Sequence, residues 1–204
     1  MAMIPVLILA VVAGHPLASS NLTGPEVLNR CQRAYARLRT LDETVTATQS
    51  NARGSAHIRF KRPGMLVVTG MTLLGSPYEL LCTGGSTSIF NSGRWTPAGS
   101  PEMGLAMAAS LSGGAAMMVP AALLHTAWGA LNASGGSVRL AKESLGRRKT
   151  YRIETSSPLS GTLWIDAKTY LIVKSAVNLT GKPTVITFGP AVVDRPIASS
   201  AFKH

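Results

Sequence analysis

Four histidines, two cysteines and nine acidic residues are the side chains through which this 204-residue chain could run acid–base, nucleophilic or metal chemistry. Their spacing assembles none of these. His15, His57, His125 and His204 each stand alone, and there is no His-x-x-x-His or Cys-x-x-Cys of metal-ligand type. No nucleophile elbow, dinucleotide fingerprint or phosphate-cradling glycine loop opens a helix. Glu154 and Asp166 are the two acids that strand pairing could bring together, and they would offer general acid–base chemistry. Nothing in their spacing demands contact. The pattern points away from an enzyme and calls for no cofactor and no metal. Cys31 and Cys82 both sit on apolar faces, where a free thiol acts as a small hydrophobe. Export would also permit a disulfide between them. Sequence leaves both readings open.

The remaining chemistry is apolar. Leu163-Trp164-Ile165 and Leu171-Ile172-Val173 are greasy on both faces of a strand. A half-open sheet needs that, because one face lines a cavity and the other meets helices or a partner. A sheet simply buried on both sides would need it too.

The elements that position these residues are readable from periodicity. Thr23-Gly24-Pro25-Glu26 starts a helix, with a cap, a proline at the first position and an acid at the positive end of the dipole. Val27, Leu28, Cys31, Ala34, Tyr35 and Leu38 then form one apolar stripe, with Asn29, Arg30, Arg33 and Arg37 opposite. Period two follows in 44–48, 55–61, 65–69, 78–82 and 87–90, with Ala56, Ile58 and Phe60 on one face of the second segment. Short turns such as Arg62-Pro63-Gly64 and Gly84-Gly85 predict an antiparallel meander. Residues 101–131 break the pattern. Met- and Ala-rich, and interrupted at Gly113-Gly114 and Pro120, they predict two short helices, with too short an apolar run to span a membrane. Strands resume over 137–145, 149–155, 161–165, 170–177 and 184–188, before an irregular tail reaching Phe202. The expected fold is α+β: a curved antiparallel half-barrel with an N-terminal helix and a small helical lid insertion.

Residues 1–20 read as a signal peptide: a short apolar run followed by Ala18-Ser19-Ser20, although no Lys or Arg precedes the run. Residues 21–204 then form a single exported domain, placed in the periplasm or cell envelope. Twenty Lys and Arg against nine Asp and Glu give a formal charge of +11. The basic residues are scattered and only 5% of residues are aromatic, so a nucleic-acid platform is not expected.

Taken in order, several segments resemble the periplasmic outer-membrane lipoprotein carrier and sorting family (LolA/LolB-like). They are Ala56-His57-Ile58-Arg59-Phe60-Lys61-Arg62-Pro63-Gly64, Cys82-Thr83-Gly84-Gly85-Ser86-Thr87-Ser88-Ile89-Phe90, Thr162 to Leu171, and Pro196-Ile197 with Phe202. Gly84 stands where the family has an acidic residue, and the lid is richer in Met and Ala. The resemblance implies a monomeric carrier or chaperone that transports lipid or the acyl chains of lipoproteins in an apolar cavity. The alternative is an envelope sensor of the same fold with a protein partner. The expected lining and lid residues are Ile58, Phe60, Leu66, Val68, Leu80, Met107, Leu111, Met117, Leu124 and Trp128. Arg62 matches the family residue that locks the lid by donating to backbone carbonyls, a job suited to a guanidinium with several fixed donors. A plain strand-end role for Arg62 is the competing reading.

Overall fold

Helix α1 (Gly24–Arg37) begins where its capping signals place it. The Thr23 hydroxyl accepts from the Glu26 N–H, and the Glu26 carboxylate accepts from the Thr23 N–H at 2.7 Å, a reciprocal capping box. In this computed structural model, residues 22–124, 138–155, 161–179 and 181–203 are described. The signal-peptide reading of residues 1–20 lies outside them, as does Trp128.

Six strands follow α1: β1 (Thr40–Gln49), β2 (Ala52–Lys61), β3 (Met65–Met71), β4 (Pro77–Thr83), β5 (Ser86–Asn91) and β6 (Arg94–Pro97). The helical insertion comes next, as α2 (Pro101–Leu111) and α3 (Met118–Leu124). Then come β7 (Val138–Leu145), β8 (Arg148–Thr155), β9 (Gly161–Asp166), β10 (Ile172–Leu179), β11 (Lys182–Phe188) and the two-residue β12 (Val192–Val193). A 3-10 turn, Ser199–Phe202, ends the tail. Among the described residues all twelve strands belong to one open antiparallel sheet. Its order is β6-β5-β4-β3-β2-β1-β11-β10-β9-β8-β7, with β12 beside the start of β1. Two meanders thus meet at the β1–β11 seam, and the sheet is the expected α+β half-barrel.

Alternation in the strands sorts residues between two faces. The inner face, α1, α2 and α3 form one apolar core running from Val27 to Phe188. A smaller cluster lies on the opposite face, where Phe202 of the tail covers Val67 and Leu81 with Trp95 and Ile197 beside them.

Three expectations shift. Pro120 does not interrupt the insertion; it lies in the first turn of α3, where a missing N–H breaks no helical bond. Tyr170 is not in a strand but in the β9–β10 turn at φ 59°, where its N–H donates to the Asp166 carbonyl. Strands β6 and β12 were not foreseen, being four and two residues long.

Candidate functional site

The concave face is built from cross-strand rows. Register places Ile58 opposite Val68, Val68 opposite Leu80 and Leu80 opposite Ile89. The neighbouring row runs Phe60, Leu66, Cys82. All of these are buried. In the other meander Ile153, Leu163, Ser175 and Ile186 stand side by side, and Ile186 faces Ala47 across the seam. Five of the residues expected from sequence, Ile58, Phe60, Leu66, Val68 and Leu80, therefore lie together on this face.

The chain's own helices cover it. Tyr35 of α1 is fully buried, and its hydroxyl accepts from the Ile172 N–H at 3.2 Å, tying the helix to β10. Helix α2 packs on β4 and β5, and α3 touches α1 and α2. The fit of α2 is close. A Cβ on Gly104 would come within 2.7 Å of both the Leu80 and Thr87 side chains. A Cβ on Gly54 in β2 would collide with the Ser112 carbonyl at the end of α2. Small residues let this cover sit almost backbone to sheet.

The remaining expected residues are distributed over the insertion. Leu111 and Met117 are half-buried against the core. Met107 is 39% exposed and Met103 59%, so both turn away from the concave face. Leu124 ends α3.

Arg62, just after β2, donates from Nε to the Leu38 carbonyl and from Nη2 to the Ala36 carbonyl, both at 2.8 Å. These are orphan carbonyls at the C-terminal end of α1. The guanidinium also lies 5.2 Å from the Phe60 ring centroid. Its partners belong to α1, not to the α2–α3 insertion.

Sequence reasoning passed over Glu43. It sits on β1 opposite Ile58, extending the Ile58–Val68–Leu80 row, and is 2% exposed. Its Oε2 has no hydrogen-bond partner among the described residues, and the same holds for the buried Ser175 Oγ. Burial pushes the Glu43 carboxyl up to about 8, against the opposing pull of the Arg148 charge. The signal was present: an acid in the inward register of Leu41-x-Glu43-x-Val45-x-Ala47. It is lost if the strand is taken to begin at Thr44.

The acid pair dissolves. Glu154 faces Thr162 and Asp166 faces Thr150 on the same β8–β9 ladder, about 13 Å apart along it at strand rise. Arg152 pairs with Glu154, while Asp166 accepts from the Lys168 and Thr169 N–H groups. Cys31 and Cys82 are both buried free thiols, so the disulfide reading gives way to the hydrophobic one. Burial raises both thiols, which keeps them protonated and poorly nucleophilic. Among the described residues no group of three metal-ligating side chains comes together, and no helix is long and apolar enough to cross a membrane.

No protein-family model and no curated protein matches the chain. Solved structures do. The lipoprotein LppX of Mycobacterium tuberculosis superposes with a TM-score of 0.54 at 16% identity, over 86% of this chain and 99% of that one. A Pseudomonas aeruginosa MucA/MucB complex matches at 0.52 and 16%, over 89% of this chain and 60% of that one. A LolA superfamily protein of Nitrosomonas europaea matches at 0.39 and 10%, over 90% and 98%. The likeness to LppX and to the MucA/MucB complex is one of fold. In this sheet the concave face is the side on which α1, α2 and α3 lie, and Arg62 fastens α1 to the end of β2.

Proposed function

We propose that this chain is an exported, non-enzymatic carrier that holds lipid, or the acyl chains of a lipoprotein, between its concave sheet and the helices over it. One observation carries the reading. Rows of aliphatic side chains are interrupted by two buried, unpartnered polar atoms, Glu43 Oε2 and Ser175 Oγ. Native interiors seldom leave such atoms unpaired, because each forfeits the hydrogen bond it had with water. A guest with an apolar chain and an ester, amide or hydroxyl group would bury against the rows and give one of these atoms a partner. Glu43 and Ser175 stand four β1 positions and two strands apart, so each would meet a different part of the guest.

In the state described here α1, α2 and α3 occupy the face, so loading requires the insertion to lift. Its design suits this. Helix α2 is held by the shape of Gly104 and a Leu73-to-Leu111 backbone hydrogen bond. It has no ion pair among the described residues. The test is native mass spectrometry of protein purified from a cell envelope, with titration of a fluorescent fatty-acyl probe. Recovery of a bound lipid, displaced by the probe and weakened in Ser175→Val, is the expected result. Empty protein that never binds the probe would sink the proposal.

A second reading, an envelope protein-interaction module, is favoured by the likeness to a MucA/MucB complex. It predicts a stoichiometric protein partner and no lipid.

A further inference from the structure

The solvent side of α1 carries Arg30, Arg33 and Arg37, spaced so that all three lie along one stripe. Opposite them the β9–β10 turn brings up Tyr170 and Leu171, and Val193 of β12 closes the end. Together they enclose a groove of about 590 Å³ along the flank of α1, between the helix and the β9–β10 turn. Its lining is divided: guanidinium groups on one wall, and Leu38, Leu171 and Val193 among the apolar atoms.

Arg30 is already positioned. Its Nη1 donates to the Tyr170 hydroxyl at 2.9 Å, and its guanidinium lies 5.6 Å from that ring's centroid. Tyr170 in turn stacks on Tyr151 at 6.0 Å. Among the described residues, none of the three arginines has a carboxylate within ion-pair distance. The acids around α1 are engaged elsewhere. Glu26 is taken up by Thr23, Asp166 by its own turn, and Asp194 by the Arg39 N–H at 2.7 Å. The Glu26 carboxylate attracts Arg30 at longer range, but three guanidinium groups on one wall still repel one another, and an anion in the groove relieves that repulsion. The guanidinium fork matches the oxygens of a phosphate, and the apolar atoms would be wasted on a purely ionic ligand.

We propose that this groove binds the phosphate headgroup of an anionic membrane lipid, with the first part of the lipid's stem resting on Leu38, Leu171 and Val193. The groove opens at the outer edge of the core that α1 shares with the sheet, and the proposal stands whether or not the concave face takes cargo.

The experiment compares Arg33→Gln/Arg37→Gln with Arg147→Gln/Lys149→Gln, which removes two exposed charges from the β7–β8 hairpin. All four positions are exposed, so both variants should fold, as circular dichroism will show. Binding is measured to phosphatidylglycerol-containing vesicles, to phosphatidylcholine vesicles, to a short-chain phosphatidic acid and to inorganic phosphate. The groove pair should lose at least ~10-fold in affinity for the anionic lipids, as expected for charge-assisted hydrogen bonds, and the hairpin pair less than ~2-fold. Leu171→Asn should weaken the short-chain lipid and leave inorganic phosphate unchanged. Equal losses in the two charge pairs, or equal binding to phosphatidylcholine vesicles, would overturn the site in favour of diffuse attraction. Inorganic phosphate binding as tightly as the lipid, with Leu171→Asn silent, would overturn the lipid assignment.

Discussion

Helices α1 and α2 cover the same concave face by opposite means. Helix α1 drives large side chains into the sheet and is pinned by polar contacts at several points: Tyr35 to Ile172, Arg62 to Ala36 and Leu38, Arg30 to Tyr170. Helix α2 presents small residues and is seated by proximity, with Gly104 against Leu80 and Thr87. A capping serine, Ser100, starts it, but no basic residue closes its last turn. The difference is between a wall tied by polar contacts and one tied by close packing. If the insertion lifts to admit a guest, α2 has fewer polar contacts to break than α1.

Four substitutions would break or sharpen this contrast, the first three taken from the largest effect down. Tyr35→Ala removes the wedge and strands the Ile172 N–H, and should cost about 4 kcal/mol of unfolding free energy. Urea denaturation measures it, and a loss no greater than a surface change would show that α1 is not fixed in this way. Arg62→Met leaves the Ala36 and Leu38 carbonyls without this donor and should cost about 2 kcal/mol. Hydrogen exchange should show the loss as faster exchange in the last turn of α1, with the insertion little affected. Gly104→Val forces two methyl groups against Leu80 and Thr87, at about 1.5 kcal/mol. Exchange should then rise in α2 and spare α1, and the fatty-acyl probe should bind faster.

The fourth concerns pH. Folded Glu43 keeps its proton up to about 8, while the unfolded carboxyl releases it near its ordinary 4.5. The folded state therefore holds the extra proton between these values. Stability present below pH 4.5 falls as pH rises towards 8, by roughly 1 kcal/mol per pH unit from this group. Tyr35 and Arg148 are the charged or titratable neighbours that act on it. Glu43→Gln should flatten that slope in urea midpoints collected across the interval. A slope unchanged by the substitution would mean that Glu43 is ionised in the folded protein.

Much of this was legible in the sequence, for identifiable reasons. Thr23, Pro25 and Glu26 mark the start of α1 because capping is local chemistry, and α1 runs from Gly24 to Arg37 as those residues imply. Ala56, Ile58 and Phe60 face inward because alternation survives in β2. The edges were harder to read. Strand β6 is Arg94-Trp95-Thr96-Pro97, too short for periodicity and ending in a residue that disfavours strands. Glu43 was missed because charge argues for solvent at a position whose register argues for the core. The groove was missed because Arg30, Arg33 and Arg37 look like any solvated helix face until Tyr170 and Val193, far along the chain, are seen beside them. That Arg62 would meet carbonyls was suggested by family resemblance, but which carbonyls depended on how α1 lies across the sheet.

The order of the strands has a kinetic corollary. Strand β1 pairs with β2, its immediate successor, and with β11, which is among the last strands to leave the ribosome. Strands β1 to β6 can zip up locally as they emerge, but residues 182–188 must arrive before the second meander can be joined to the first. Closing so long a loop is slow, so the chain spends its synthesis as two unjoined halves with their greasy sides exposed. Until residues 182–188 are made, the apolar faces of the two meanders lack the seam that joins them.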